Sequence, residues 1–168
     1  GCEFIGSFEP LSDAEIIGCA ADILSELGVL EKCTLYVNSL GDTESRDNYR
    51  SSLVSYLLKY KDSLSVDSQR RLSSNPLRIL DSKAKEDVEI IENAPKLFEF
   101  LTTQAKKHFD RVINSLEIAR INWQLDEKLV RGLDYYSHTA FEFVTDALGS
   151  QGTVLGGGRY DGLSSMLG

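Results

Sequence analysis

Leu129-Val130-Arg131-Gly132-Leu133-Asp134-Tyr135-Tyr136, followed by Leu155-Gly156-Gly157-Gly158-Arg159-Tyr160-Asp161-Gly162-Leu163, decides how this chain reads. The first stretch sets an arginine, a glycine and two adjacent tyrosines at the mouth of an apolar strand pattern. A guanidinium stays charged and forks onto carboxylate or phosphate oxygens. A phenol can donate or accept a hydrogen bond. In the second stretch the glycines let backbone come close to a ligand or a neighbouring strand, because no Cβ keeps it away. Phosphate chemistry is the first expectation. The second stretch is not a P-loop, because no Gly-Lys-Ser/Thr follows.

Outward from these motifs the hydrophobic period is two. Residues 125–130, 139–145 and 153–155 read as strands, the last two joined through Leu148-Gly149-Ser150-Gln151-Gly152 as a turn, which predicts an antiparallel meander. At the other end, residues 1–8 read as a strand with Phe4 and Phe8 on one face and Glu3 on the other, and residues 33–37 alternate in the same way. Between them a helix is expected to open at Ser12 as N-cap. Glu15 would complete a capping box, Leu11 and Ile16 a hydrophobic staple. The helix would run to Gly28 with Ile16, Ala20, Ile23, Leu24 and Leu27 inward.

From Gly41 the period changes. Helices are expected over 42–58, 66–72, 85–92 and 95–119, with Asn75-Pro76 as a break. The last would open on Pro95 and bury Leu97, Leu101, Ala105, Phe109, Val112 and Leu116. The fold class is therefore α+β. Residues 1–41 and 122–168 would build one mixed or antiparallel sheet, and residues 42–121 a mainly helical inserted domain hanging off it.

Composition narrows the function classes. With 42% hydrophobic residues the 168-residue chain can bury a core. No apolar run approaches the roughly 20 residues that span a bilayer, and no signal-peptide order opens the chain. A soluble, cytoplasmic parent without membrane contact is expected. Cys2, Cys19 and Cys33 are widely spaced and odd in number, and the only histidines are His108 and His138. Neither a disulfide framework nor a protein-bound metal follows. Residues 42–121 hold 14 of the 18 basic residues against 13 acidic ones, while the rest carries a net charge of −9. Phosphate contacts therefore favour the middle, for which a solvated helical segment of ordinary mixed charge and a protein-interaction module are the alternative readings. The chain begins at Gly1 and its only methionine is Met166, so a piece of a longer protein is expected.

The two motifs resemble the two signatures of the histidyl-tRNA synthetases, and Asn75-Pro76-Leu77-Arg78-Ile79-Leu80-Asp81-Ser82-Lys83 resembles a signature of their bacterial-type members. The resemblance covers nearly the whole chain. It implies part of the class II synthetase antiparallel sheet, carrying an insertion domain, in a ligase that activates histidine with ATP and charges tRNA(His). By the same resemblance, Arg131 is the catalytic arginine at the α-phosphate and substrate carboxylate, and Glu3 and Tyr136 hold the imidazole. Tyr135 and Tyr160 would line the same pocket, with Gly156, Gly157 and Gly158 as the backbone floor under the adenylate. Mg2+ would accompany ATP, residues 42–121 would lean over the tRNA acceptor arm, and the parent would be a homodimer. The class II dimer motif, the second-motif arginine, the third motif and the anticodon-binding domain would lie outside these residues, so the piece alone is expected to be inactive.

Taken residue by residue, alternatives stand beside these roles. Arg131 could pair with Asp134 or Glu127 at a strand end, and the glycine run could be a tight turn. Tyr135 could face a core, since adjacent strand residues point opposite ways. Arg159 and Asp161 read as a supporting pair, and His138 as a surface or loop histidine. A non-catalytic, histidine-binding regulatory paralogue of the synthetase core is the alternative function. The intact Arg131 signature and the long insertion speak against it.

Overall fold

The computed structural model describes residues 1–130, 135–148 and 152–163. Helix α1 (Pro10–Glu26) starts two residues before Ser12, with Glu9 as its N-cap. Proline decides this: its fixed φ suits the first helical position, where its missing N–H is not needed. Ser12 is turned to Ser7 Oγ at 2.7 Å, so the predicted capping box does not form. The helix ends at Glu26, short of Gly28. Gly28 takes the left-handed conformation (φ +69), and the Val29 N–H returns to the Leu24 carbonyl, a common way to satisfy the last carbonyls of a helix.

The remaining elements are β1 (Thr34–Ser39), α2 (Thr43–Leu58), α3 (Val66–Ser74), α4 (Lys85–Glu92), α5 (Thr103–Ile118), β2 (Gln124–Leu125), β3 (Ser137–Val144) and β4 (Thr153–Arg159). Helices α2, α3 and α4 follow the sequence expectation closely. The predicted 95–119 helix does not: residues Leu97–Phe100 form a 3-10 turn and α5 begins after Thr102. Thr102 wins as N-cap because its Oγ accepts from Ala105 N at 3.0 Å while donating to Asp42 at 2.5 Å.

The sheet runs β2-β1-β3-β4. β3 pairs antiparallel with both β1 and β4, and β2 pairs parallel with β1 through Tyr36↔Gln124 and Val37↔Leu125. The sheet is thus mixed, and the expected three-strand meander is reduced to the β3–β4 hairpin. The predicted 125–130 strand stops after Leu125 because Asp126 turns the chain, taking Lys128 N on its side chain and Leu129 N on its carbonyl. Residues 1–8 form no strand. Gly6 takes φ +89, and the Ser7 and Glu9 carbonyls are taken by a side chain, Arg159, instead of a ladder.

Alternation along β1 and β3 separates two cores. Leu35, Val37, Phe141 and Phe143 face α1 and α5, meeting Ile17, Ala20, Ala21, Leu24, Phe109, Val112 and Leu116. The inward stripe of α1 is therefore rotated from the predicted one, leaving Ile23 and Leu27 exposed. On the opposite face, Ala140 and Leu40 pack with Tyr49, Leu53, Leu57, Leu64, Leu72, Ile79 and Ile90 of the α2–α4 region. Residues 42–121 consequently do not hang off the sheet as one body: α5 covers one face and α2–α4 the other.

Asp87 organises the α3–α4 region. Fully buried, it accepts from Ser65 N (2.8 Å), Ser65 Oγ (2.7 Å), Ser68 Oγ (2.6 Å) and Ser82 Oγ (2.5 Å). Burial alone would raise its pKa, but these donors outweigh burial and hold the carboxyl below its ordinary value. Asp87→Asn is expected to cost about 1–2 kcal/mol at pH 7, the difference between charge-assisted and neutral hydrogen bonds. With the folded pKa depressed, the stabilisation is complete above the unfolded pKa of about 4 and is lost as pH falls through the folded value. Denaturant melts stepped from neutral into acid should show the two proteins converging. A constant gap would contradict this account.

Candidate active site

A cavity of about 990 Å³ lies between the segment 1–8, α1 and the β3–β4 hairpin, with Glu3, Asp13, Tyr136, Thr139, Tyr160 and Asp161 among its polar lining. Its wall is the glycine run, which is a strand and not a turn. Gly156, Gly157 and Gly158 pair with Glu142, Phe141 and Ala140, so β4 reaches Arg159, four residues beyond the predicted end. The sequence demands glycine here for contact reasons. A Cβ on Gly157 would lie 2.7 Å from the Phe141 ring, and one on Gly158 would lie 2.8 Å from the Thr139 carbonyl oxygen and 3.0 Å from the Tyr136 ring.

Aromatic rings close one side. Tyr136 and Tyr160 meet edge-on at 6.4 Å, Tyr135 and Tyr160 at 6.3 Å, and Tyr135 tilts onto Tyr136 at 4.8 Å. Adjacent in sequence, Tyr135 and Tyr136 still share one cluster. They precede β3, whose pleat begins at Ser137, so strand alternation does not separate them. The Glu3 carboxylate acts on the Tyr160 phenol. Burial, then that carboxylate, raises the Tyr160 pKa, which keeps the phenol protonated. Glu3, Tyr160 and Tyr136 thus present a carboxylate and phenols to one space.

A second, buried network supports the wall. Arg159 donates from Nε to Asp13 Oδ1 (3.0 Å), from Nη1 to Ser7 O (2.9 Å) and Asp161 Oδ1 (2.9 Å), and from Nη2 to Glu9 O (3.0 Å). Asp13 Oδ2 takes Thr139 Oγ1 at 2.5 Å and meets His108 Nε2 at 2.9 Å. His108 stacks on His138 with ring centroids 4.3 Å apart. His138 is therefore not the surface or loop residue expected. It lies in β3 at φ +47, and burial, then His108, depresses its pKa.

The sequence profile described as Histidyl-tRNA synthetase matches residues 1–168. The chain belongs to the histidyl-tRNA synthetase family. It is 51% identical over 166 residues to a histidine--tRNA ligase of Rickettsia bellii, covering 99% of this chain and 40% of that protein. A histidine--tRNA ligase of Rippkaea orientalis is 54% identical over 168 residues, covering 100% of this chain and 39% of that protein. The chain spans about 40% of the length of such relatives. In three dimensions it resembles apo S. aureus histidyl-tRNA synthetase with a TM-score of 0.76, at 35% identity over 96% of this chain and 39% of that one. A Bacillus halodurans C protein described as an ATP phosphoribosyltransferase regulatory subunit/histidyl-tRNA synthetase gives a TM-score of 0.51 at 21% identity, over 95% of this chain and 45% of that one. That second likeness concerns the fold.

Within this histidyl-tRNA synthetase fold, the structure brings Glu3, Tyr136, Tyr160, Gly156, Gly157 and Gly158 to one cavity, and Tyr135 joins them through its ring contacts. Arg131 lies outside the described residues. The sequence reading missed Asp13 and His108. Both break an amphipathic pattern, Asp13 in the first turn of α1 and His108 beside the apolar stripe of α5, and that was the available signal. No cluster of three or more His, Cys, Asp or Glu side chains suited to a metal ion occurs among the described residues. No helix among them is long and apolar enough to cross a membrane.

Proposed function

We propose that the full protein activates histidine with ATP to histidyl-adenylate and transfers it to tRNA(His). The observation that carries this reading is the convergence of Glu3, Tyr136 and Tyr160 over the Gly156–Gly158 strand. Neutral imidazole offers one donor and one acceptor. Glu3 takes the ring N–H, and a phenol donates to the bare ring nitrogen. A pocket that leaves its own polar groups unpaired when the ring is missing rejects apolar isosteres strongly. The glycine wall lets the adenylate lie against backbone.

Arg131 follows Leu129, whose carbonyl is held by Asn38 Nδ2 at 2.9 Å, and precedes the tyrosine cluster. Its proposed task is to stabilise charge as the histidine carboxylate attacks the α-phosphate and pyrophosphate leaves. Mg2+ enters with ATP, on the phosphates, as part of the substrate. The acceptor arm of the tRNA lies against residues 42–121, whose basic residues contact phosphates. The protein works as a cytoplasmic homodimer, and the 168 residues alone do not complete the reaction.

The test is histidine-dependent pyrophosphate exchange by the full-length protein, run beside equilibrium binding of histidine. Exchange that requires histidine and ATP together is expected. Histidine binding without exchange would instead establish the regulatory paralogue. The ligase reading is favoured by identities of 51% and 54% to histidine--tRNA ligases and by the intact Leu129–Tyr136 motif.

A further inference from the structure

The Leu129–Tyr136 motif is held at both ends from the connection between β1 and α2. Asn38 of β1, buried, donates from Nδ2 to the Leu129 carbonyl at 2.9 Å. At the far end Arg46, in the first turn of α2, donates from Nη1 to the Tyr136 carbonyl at 2.6 Å. The regular β1–β3 ladder stops at the Ser39↔Thr139 pair, and the β3–β4 register shifts between Ser137 and Ala140. His138, inside that irregular stretch, sits at φ +47, a conformation that a residue with a side chain keeps only where its surroundings impose it. Leu40 and Gly41 impose it: the Leu40 N–H meets the His138 carbonyl, and the Gly41 carbonyl takes the His138 N–H at 2.8 Å. Gly41 is itself confined, because a Cβ there would lie 2.5 Å from Ser45 Cβ and 2.9 Å from the Leu101 side chain. Such an irregularity re-aims the side chains beside it, and beside it stands Tyr136, which lines the cavity. Arg46 does not line it.

We infer that Arg46 is a positioning residue for histidine recognition: by holding the Tyr136 carbonyl against α2, it aims the Tyr136 phenol at the imidazole. The inference rests on the proposed role of Tyr136. A guanidinium grips a carbonyl more firmly than a neutral donor does, and the peptide plane between Tyr136 and Ser137 turns with that carbonyl. A recognition contact has to be held within roughly 0.5 Å, and the phenol lies at the far end of its side chain from this pivot. Asn38 keeps its hold on the Leu129 end, so release of Arg46 falls on Tyr136.

The experiment uses the full-length protein with Arg46→Ala, Arg46→Lys, Tyr136→Phe and the double substitution Arg46→Ala/Tyr136→Phe, and Asp87→Asn as a variant weakened far from the cavity. Histidine, ATP and tRNA affinities are measured separately, and hydrogen exchange over residues 136–139 is followed by mass spectrometry. Arg46→Ala is expected to weaken histidine about tenfold, as the loss of one charge-assisted hydrogen bond would, and to leave ATP within about twofold. Exchange over 136–139 should quicken about tenfold, because the opening there is local. Arg46→Lys keeps a charged donor without the fork and should fall between. In the Tyr136→Phe background, Arg46→Ala should add no further loss of histidine affinity, the non-additivity of residues that act through one another. Asp87→Asn should lower the melting temperature and change neither histidine affinity nor that exchange.

Unchanged histidine affinity in a folded Arg46→Ala protein would overturn the inference, and so would losses that add in the double variant or are matched by Asp87→Asn. Weakened tRNA binding with histidine affinity intact would overturn it too, making Arg46 a phosphate contact. Should Arg46→Ala fail to fold, Arg46→Gln keeps a shorter, neutral donor and should move histidine affinity and exchange the same way to a smaller extent; no movement would overturn the inference. If the unsubstituted protein binds no histidine, or Tyr136→Phe binds it unchanged, the functional reading fails instead. The exchange rates would then still decide whether Arg46 holds the Tyr136 stretch.

Discussion

Arg131→Ala in the full-length protein is expected to lower histidine-dependent pyrophosphate exchange by a hundredfold or more while histidine continues to bind. The basis is differential stabilisation. The attack of a carboxylate on the α-phosphate crowds charge onto a five-coordinate phosphorus, and a fixed guanidinium meets that charge where it develops. Removal of one such donor costs on the order of 3–4 kcal/mol in rate. Glu3 and Tyr136, proposed to hold the imidazole, are left in place, so binding should weaken far less than exchange. Arg131→Lys retains the charge without the fork and should fall between. Exchange within threefold of the unsubstituted protein would remove Arg131 from the chemistry.

Gly158→Ala should damage stability and specificity together. The added methyl would lie 2.8 Å from a backbone oxygen of β3 and 3.0–3.2 Å from the Tyr136 ring. The oxygen belongs to Thr139, which is 1% exposed and lies in a strand paired on both sides, so it cannot yield cheaply. Either the β3–β4 pairing opens or Tyr136 swings away. Overpacking of this kind costs about 2–3 kcal/mol, and displacement of Tyr136 should weaken histidine about tenfold. Gly162→Ala is the internal comparison, because its methyl meets nothing nearer than the Tyr135 carbonyl at 3.8 Å. Melting curves and histidine titrations of the two should diverge. Equal behaviour would mean that the glycine wall is not tight.

How much was legible in the sequence follows from the range of each signal. Helices α2, α3 and α4 and the bodies of β1 and β3 carry their own periods and caps, and they appear where those signals put them. The helix over 95–119 was drawn too long because Thr102 caps through Asp42, sixty positions away, and no local pattern contains that bond. Residues 1–8 alternate like a strand, yet alternation shows only that two sides differ, not that a neighbour is present. The expected strand ends at Leu155 because strand propensity disfavours glycine, whereas β4 continues through the glycine run to Arg159. Its pairing depends on Phe141 and Thr139, which leave no room for a Cβ. For the site, the two motifs contain Tyr136, Gly156, Gly157, Gly158 and Tyr160, which line the cavity, but the Arg159–Asp13–His108 network joins positions 95 and 146 residues apart. Only the packing of α1 against α5 and β4 creates it.

The Asp42 carboxylate has a mechanical consequence. One of its oxygens takes Ser45 N and Oγ at the start of α2, and the other takes the Thr102 hydroxyl that opens α5. Thr102 N is also bonded to Ser45 Oγ at 2.9 Å. Helices on opposite faces of the sheet therefore begin at one shared latch, and neither first turn can fray without loosening the other. Burial would raise the Asp42 pKa, but the Thr102 and Ser45 donors prevail and hold it below the ordinary value. The latch stays shut at neutral pH and slackens only in acid. In native-state hydrogen exchange, the opening amides of α2 and α5 should then share a single opening free energy, as one cooperative unit reaching through both layers.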